Sequence, residues 1–392
     1  MPRRSVVLRV VVGVLALATF AHGLAPQSAG AASAAKPATA RVEPAATIRA
    51  SRGHLVLGGK PYRTVGLNAY ELPTLWGSNA GCGAMLSNTQ LGAFFAAMPA
   101  HSLVRIWAWQ GSMATQFRTK KLDWGPLDRV VRAAAAHHDF LVMSLAGQSG
   151  SCDDGHWKGP QWYSGGYQHA YDDDDRALAP LSYATYVHDI VTRYASSPAV
   201  GMWELVNEPE ASSCAAGFSG DACYGHTSCS DERAAAAAMR SFFDTEGGAV
   251  HHIDRHHLVE AGFLGSGQCG TAGTDYAFVG RSAGIDVLSY HDYYPAGVAL
   301  GGDQWNGIAV RLRQAAALDK PIIAGEMGVD GGSAAACASL SERVKEVRAK
   351  AAAQLARGSD AILLWDWEPR PTAPCDYSTY PGDPLVHLIG TH

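Results

Sequence analysis

Two glutamates stand where short apolar runs stop. Val200 to Glu210 reads Val-Gly-Met-Trp-Glu-Leu-Val-Asn-Glu-Pro-Glu and ends abruptly in Asn207, Glu208 and Pro209. Pro321 to Val329 reads Pro-Ile-Ile-Ala-Gly-Glu-Met-Gly-Val and carries Glu326. Both runs have the length and residue types of buried strands. A pair of carboxyl groups is the minimum equipment for cleaving a glycosidic bond. One protonates the departing oxygen and the other attacks the anomeric carbon, with a separation of roughly 5 to 5.5 Å when configuration is retained. The acid of such a pair has to hold its proton at rest, so burial and an anionic neighbour should raise its pKa.

Residues of this kind need elements that bring them together, and the chain supplies a regular alternation. Strands are predicted at Tyr62 to Leu67, Leu103 to Trp109, Phe140 to Ala146, Ala199 to Glu208, Leu258 to Leu264, Ile285 to Tyr293, Pro321 to Gly325 and Ala361 to Trp365. Helical spacing falls between them at Leu86 to Met98, Leu127 to His138, Tyr183 to Tyr194, from Asp231 onward, Asn306 to Leu318 and Leu340 to Ala356. Eight strand–helix units imply a parallel sheet closed into a β/α barrel, whose working residues sit at the C-terminal ends of the strands. A hairpin with the turn Gly58-Gly59-Lys60 precedes them and is expected to plug the lower end of the barrel.

The run Trp-Glu-Leu-Val-Asn-Glu-Pro resembles the acid/base signature of family 5 glycoside hydrolases. These clan A enzymes include secreted bacterial cellulases and β-mannanases. Arg105, His291 with Tyr293, Glu326 and Trp365 also fall at strand ends in the family's order, and the resemblance runs from about residue 52 to 385. It implies Glu208 as acid/base and Glu326 as nucleophile. It further implies Arg105 holding the nucleophile ionised, Asn207 on the sugar 2-hydroxyl, Tyr293 donating to Glu326, and Trp365 stacking on a pyranose. No cofactor and no metal are implied. Asn68-Ala-Tyr70-Glu-Leu72 and Arg105-Ile-Trp107 look more like the family's mannanases than its cellulases. Endo-acting cleavage of β-1,4-mannan is therefore the first reading. A β-1,4-glucanase, an exo-acting glycosidase, a transglycosylase and a non-catalytic carbohydrate-binding barrel stay open. The family's histidine after strand three is missing, since the run is Leu145-Ala146-Gly147-Gln148, which leaves open a substitute role for Gln148.

Composition sets the frame around this site. The 392 residues are 47% hydrophobic and 17% charged, which suits one globular domain, and a net charge of −5 gives no sign of a nucleic-acid partner. Residues 1–35 read as a secretory signal peptide, with Arg3 and Arg4 ahead of an apolar run too short to span a bilayer, and 36–47 as an Ala/Pro-rich linker before a catalytic domain at 48–392. The expectation is a secreted, extracellular monomer that acts on a polysaccharide and has no membrane attachment after cleavage. Eight cysteines in a secreted chain suggest disulfides. All eight fall in loops after strands, so they should staple the catalytic face. The run Asp172 to Asp175 lacks the spacing of a calcium loop. His251, His252, His256 and His257 read as the end of a helix. Trp76, Trp107, Trp109, Trp157, Trp162, Tyr163 and Tyr167 gather on the upper face, those at 157–167 in a Gly-rich loop that suits sugar stacking.

Overall fold

The computed structural model describes residues 47–391 except 75–81, 83–84, 117–120, 172–178 and 335–336. The expected signal peptide, all but the last residue of the linker, Trp76 and the Asp172 to Asp175 run lie outside the described residues.

The barrel strands are β1 (Thr64–Asn68), β2 (Leu103–Trp107), β3 (Phe140–Ser144), β4 (Val200–Glu204), β5 (Leu258–Glu260), β6 (Leu288–Asp292), β7 (Ile322–Met327) and β8 (Ala361–Leu364). They form one parallel sheet in the order β5-β4-β3-β2-β1-β8-β7-β6. A parallel bridge between Glu260 and Val287 joins its two ends and closes the barrel. Every predicted strand is present, but most stop earlier than the apolar runs do. Residues such as Leu205 to Glu208 continue the chain beyond the ladder as the floor of the mouth. Outside the barrel lie α1 (Asn88–Ala96), α2 (Gly125–Ala136), α3 (Tyr183–Tyr194), α4 (Glu232–Phe242), α5 (Asp275–Gly280), α6 (Ile308–Ala317) and α7 (Leu340–Ala356). Capping boxes open α1, with Ser87 and Gln90, and α7, with Ser339 and Glu342, satisfying backbone N–H groups that the first turn leaves orphaned. After β8 the eighth helix position is taken by a 3₁₀ turn, Pro384–Leu388. A final short strand, Gly390–Thr391, then pairs antiparallel with β1.

Alternation along the strands divides the barrel interior into two layers. At the lower end Leu103, Phe140, Val142, Met202, Leu258, Val287, Ile323, Ala361 and Leu363 form one buried apolar cluster together with Ile48, Leu55 and Tyr62. Ile48 and Leu55 come from the antiparallel strands Ile48–Ser51 and His54–Leu57, so the N-terminal hairpin is the expected plug. Two residues further along the strands the interior turns polar, with Asn68, Arg105, Ser144, Glu204, Glu260, Ser289 and His291 all buried. The apolar layer supplies packing and the polar layer supplies chemistry.

Four disulfides tie the loops above this polar layer: Cys82–Cys152, Cys214–Cys223, Cys229–Cys269 and Cys337–Cys375. They join the loop after β1 to the loop after β3, close the loop after β4 on itself, and join the loops after β4 and β5 and after β7 and β8. His251 and His252 end the short helix Gly248–Ile253, while His257 Nδ1 lies 2.7 Å from the Asp254 carboxylate in the turn before β5.

The plug carries a prediction. Leu55 is fully buried under the strands, so Leu55→Ala should cost about 2–5 kcal/mol of stability. Urea unfolding should show that loss while the mouth of the barrel, two layers above, keeps its ligand-binding properties.

Candidate active site

Arg105 at the C-terminal half of β2 organises the polar layer. Its Nε and Nη2 donate to Glu204 Oε2 and Oε1 at 2.5 and 2.6 Å, Nη1 donates to Asn68 Oδ1 at 2.9 Å and Glu326 Oε1 at 2.8 Å, and Nη2 also reaches Asn207 Oδ1 at 2.6 Å. Arg105 therefore contacts Glu326 as expected, but its bidentate partner is Glu204. Burial alone would push the Glu204 carboxyl up; the Arg105 charge and its two hydrogen bonds outweigh that and hold it below the ordinary carboxylate range. Glu260 lies beside Glu204 in the parallel register of β5 and β4. It is fully buried, accepts from Gly262 N at 2.9 Å, and its Oε2 has no well-formed hydrogen bond. Burial and the neighbouring Glu204 charge push its pKa well above the usual value, so Glu260 is the proton-bearing member of the pair.

Glu208 follows β4 with φ +55°, a left-handed conformation that is strained for a residue with a side chain. It is locked there from both sides. Asn207 N donates to Ala146 O at 2.8 Å and Glu208 N to Gly262 O at 2.9 Å. A Cβ on Gly262, itself at φ +70°, would fall 1.8 Å from Val206 O, so glycine is required for this close approach. Glu326 arrives from β7 opposite. Tyr293 Oη donates to Glu326 Oε2 at 2.5 Å, and His291 Nδ1 lies 2.8 Å from Glu208 Oε1 and 3.4 Å from Glu326 Oε2. The imidazole Nε2 is buried without a partner against Gly325, whose missing side chain makes room for it. Nδ1 is thus the working nitrogen of His291. One oxygen of Glu208 and one of Glu326 lie within 4.8 Å of each other.

Charge in the empty site differs from the expectation that Glu208 has a raised pKa. Burial pushes the Glu208 carboxyl up, but the His291 hydrogen bond and charge, aided by Arg105 and Tyr224, leave it below its ordinary value. Burial also pushes Glu326 up, and His291 and Arg105 do not fully offset it. His291 is raised by its two carboxylate neighbours despite its burial. Those directions favour the carboxylate form of Glu208 and the imidazolium form of His291 across their 2.8 Å hydrogen bond, the reverse of the protonated Glu208 expected from the sequence. Glu208, His291 and Glu326 are close enough to ligate a cation, yet the Arg105 guanidinium already supplies positive charge at Glu326.

Aromatic rings form one wall of a cleft of about 300 Å³ that contains Asn207, Glu208 and Glu326. Trp365 stacks on Tyr70 at 5.2 Å, Tyr70 lies 4.3 Å from Trp107, and Trp107 stacks on Trp109 at 3.9 Å between ring centroids. Tyr70 Oη donates to Glu368, which with Glu71 and Asp366 forms a buried carboxyl cluster behind the wall. Burial and mutual repulsion push Glu71 to about 8 and Asp366 to about 7. Across the cleft, Tyr224 Oη donates to Glu208 Oε2 at 3.3 Å.

All ten predicted site residues thus meet at one place, with Asn68 buried as an Arg105 acceptor and the others at the mouth. Gln148 does not line the cleft. It is fully buried, accepts from Tyr163 Oη and Glu210 N, and donates to Lys158 O and Glu210 O, which braces the loop after β3 against the end of β4. Trp162, Tyr163 and Tyr167 are buried core around Phe242 rather than a sugar platform. Glu204, Glu260 and Tyr224 were missed. A glutamate inside the apolar run of β4 was a signal for the first, because a buried carboxylate demands a cationic partner.

No family profile matches the chain. Among sequence relatives, "Probable mannan endo-1,4-beta-mannosidase C" of Aspergillus terreus is 26% identical over 273 residues, covering 60% of this chain and 62% of the relative. "Mannan endo-1,4-beta-mannosidase 1" of rice is 25% identical over 319 residues, covering 72% and 68%. The chain spans only 51% of a second Aspergillus terreus relative, mannosidase A-2. The endo-1,4-beta-mannanase of Rhizomucor miehei superposes with a TM-score of 0.61 at 19% identity, covering 87% of this chain and 96% of that one. The endo-beta-1,4-mannanase of Thermotoga petrophila gives 0.55 at 15%, covering 84% and 76%. The chain has the barrel fold of these mannanases. Its sequence relatives named here are fungal and plant proteins, so the expected bacterial type draws no support from them.

Glu260 yields a prediction with a definite sign. A buried carboxyl with a raised pKa binds a proton in the native state that the unfolded chain releases. Stability is then fully present below the ordinary glutamate value of 4.5 and falls as pH rises toward the folded pKa. Glu260→Gln keeps the shape and removes the titration. Its unfolding free energy should fall less steeply than wild type's as pH rises above about 5, by up to about 1.4 kcal/mol per pH unit, in denaturant titrations. Parallel curves would place the proton elsewhere.

Proposed function

We propose that the protein is a secreted, retaining endo-β-1,4-mannanase. The observation that carries this reading is the pair of carboxylate oxygens of Glu208 and Glu326 within 4.8 Å across the barrel mouth. That closeness suits double displacement, whose carboxyl groups stand roughly 5 to 5.5 Å apart, better than the roughly 6.5 to 9.5 Å of an inverting pair. The sequence relatives and structural neighbours, named as mannan-cleaving enzymes, support mannan as the substrate, and the open cleft with its aromatic wall supports attack within a chain. Residues 1–35 act as the cleaved signal peptide and 36–47 as a linker to the catalytic domain at 48–392. The mature protein is an extracellular monomer, consistent with four disulfides and with no described helix being long and apolar enough to cross a membrane.

In the first step Glu326 attacks the anomeric carbon, the bond to the leaving sugar breaks, and Glu208 delivers a proton to the departing oxygen. His291 Nδ1, hydrogen-bonded to Glu208 Oε1, is the neighbour that can supply that proton. Asn207 has its carbonyl occupied by Arg105, so its amide N–H₂ is the end that binds the 2-hydroxyl. Trp365 supplies the face on which the reacting sugar stacks. In the second step a water gives its proton to Glu208 and its oxygen to the anomeric carbon, and Glu326 departs as a carboxylate held by Arg105 and Tyr293.

Reducing-sugar release from mannan, glucomannan, cellulose, mixed-linkage glucan and xylan tests the reading. Wild type should release sugars from mannan with retained anomeric configuration by NMR, and Glu326→Ala should release none. Glu208→Ala should slow polymer cleavage by about 10²–10⁴-fold, with a smaller loss on dinitrophenyl glycosides whose leaving group needs no proton. Release only from cellulose would assign a glucanase. Equal behaviour of wild type and Glu326→Ala would leave a carbohydrate-binding barrel.

A further inference from the structure

The backbone of Glu208 is locked on both sides, but a carboxyl group can still turn about its last bond, whose energy wells are broad and two-fold. Both of its oxygens carry a neighbour that resists the turn. His291 Nδ1 stands 2.8 Å from Oε1, and Tyr224 Oη donates to Oε2 at 3.3 Å. Burial and the carboxylates of Glu208, Asp221 and Glu210 push the Tyr224 hydroxyl far above its ordinary pKa, so it keeps its proton. A hydroxyl also accepts. Tyr224 can therefore stay on Oε2 whether Glu208 is a carboxylate or an acid, which an ammonium or guanidinium group, having no acceptor, could not do.

Tyr224 lies in the loop after β4 and lines the cleft, and contacts on its chain and on its ring fix it there. Cys223, immediately before it, is fully buried and bridged to Cys214. Cys214 belongs in turn to the short antiparallel pair Ser213–Cys214 and Thr227–Ser228, which closes the same loop at its base. Trp157, from the loop after β3, meets the tyrosine ring edge to face at 5.3 Å, and its indole N–H donates to Ser212 O at 2.8 Å. Earlier in the loop Asp221 N–H donates to Ser151 Oγ at 3.0 Å, and Asp221 Oδ1 accepts from Ser149 Oγ at 2.6 Å. These contacts place the ring without help from its hydroxyl. The hydroxyl is thus free to serve Glu208.

An acid/base has to give up a proton in one step and take one back in the next, and both transfers need the carboxyl in the same plane against the reacting bond. Held by His291 alone, the group could swing about its single hydrogen bond. A second contact on the other oxygen removes that freedom. We propose, resting on the hydrolase reading above, that Tyr224 is a positioning residue for the acid/base: its hydroxyl fixes the plane of the Glu208 carboxyl through both steps, keeping Oε1 on His291 and Oε2 on the Tyr224 side of the cleft. The disulfide before Tyr224 and the indole beside it then serve the chemistry through this one hydroxyl.

Tyr224→Phe keeps the ring and its contact with Trp157 and removes only the hydroxyl. On phenyl β-mannobioside, whose leaving oxygen needs a proton, kcat/KM should fall about tenfold; on dinitrophenyl β-mannobioside, whose leaving oxygen needs none, it should fall less than about twofold. A loss of packing would lower both alike. The second readout needs no turnover. In ¹³C NMR titrations of protein labelled at the glutamate carboxyls, with the Glu208 signal assigned through Glu208→Gln, Tyr224→Phe should move the Glu208 midpoint up by roughly half a pH unit, because a donor to the carboxylate is gone. Equal loss on the two glycosides, no loss on either, or an unmoved midpoint would overturn the proposal. If wild type cleaves neither glycoside the hydrolase reading falls by itself, and the midpoint still decides whether Tyr224 holds the carboxyl.

Discussion

A guanidinium with no access to water has five N–H bonds to satisfy, and Arg105 satisfies them all with side-chain oxygens of four residues from three strand ends: Asn68, Glu204, Asn207 and Glu326. Displacing any of these strands would leave a buried charge or a buried donor unpaired, at a cost of several kcal/mol. The barrel's upper rim is consequently held by one residue. Glu204 gives the arrangement its permanence. Because it binds Arg105 in two places whatever the state of Glu326, the guanidinium stays put while the charge on Glu326 comes and goes in the proposed cycle.

That centre is supported from below by apolar packing and from above by covalent staples. The hairpin plug closes the bottom, leaving the interior no route for water to the Arg105 layer from that side. At the top, long loops would otherwise be free to rearrange, and disulfides limit this by tying neighbouring loops to one another. Gln148 and the buried Lys158, which bonds both oxygens of Asp154, extend the bracing into the loop after β3. Tyr224 and Trp157 can hold set positions beside Glu208 because the segments that carry them are tied in this way.

The barrel and the principal carboxylates were legible in the sequence because their signals are local. An apolar run ending in a polar residue announces a strand end within a few residues, and the order of Arg105, Glu208, His291 and Glu326 along the chain needs no knowledge of the loops. Leu340–Ala356 and Tyr183–Tyr194 matched in full because cap residues and helical spacing agree at both ends. What escaped depends on packing between distant segments. Nothing local distinguishes Trp157, which is half-buried beside Tyr224, from Trp162, which is buried around Phe242, since both sit in one Gly-rich loop. Gln148 turns inward because Tyr163 and Glu210 offer it partners, and neither partner is visible from its neighbours in the chain. Glu260 was passed over as an ordinary strand residue, although its burial beside Glu204 defines where a proton must reside.

The proton arrangement of the empty cleft also bears on how the proposed cycle would start. Glu208 holds its negative charge at rest by virtue of His291 and of contact with water, its side chain being 17% exposed against 5% for Glu326. A neutral sugar seated against Trp365 displaces that water, and the loss falls more heavily on the more exposed carboxyl. Desolvation raises a carboxylate's pKa, so a seated sugar would favour transfer of the proton from His291 Nδ1 to Glu208 across their hydrogen bond, while Arg105 and Tyr293 keep Glu326 supplied with donors. In the proposed cycle the substrate itself thus prepares the acid while the nucleophile keeps its donors.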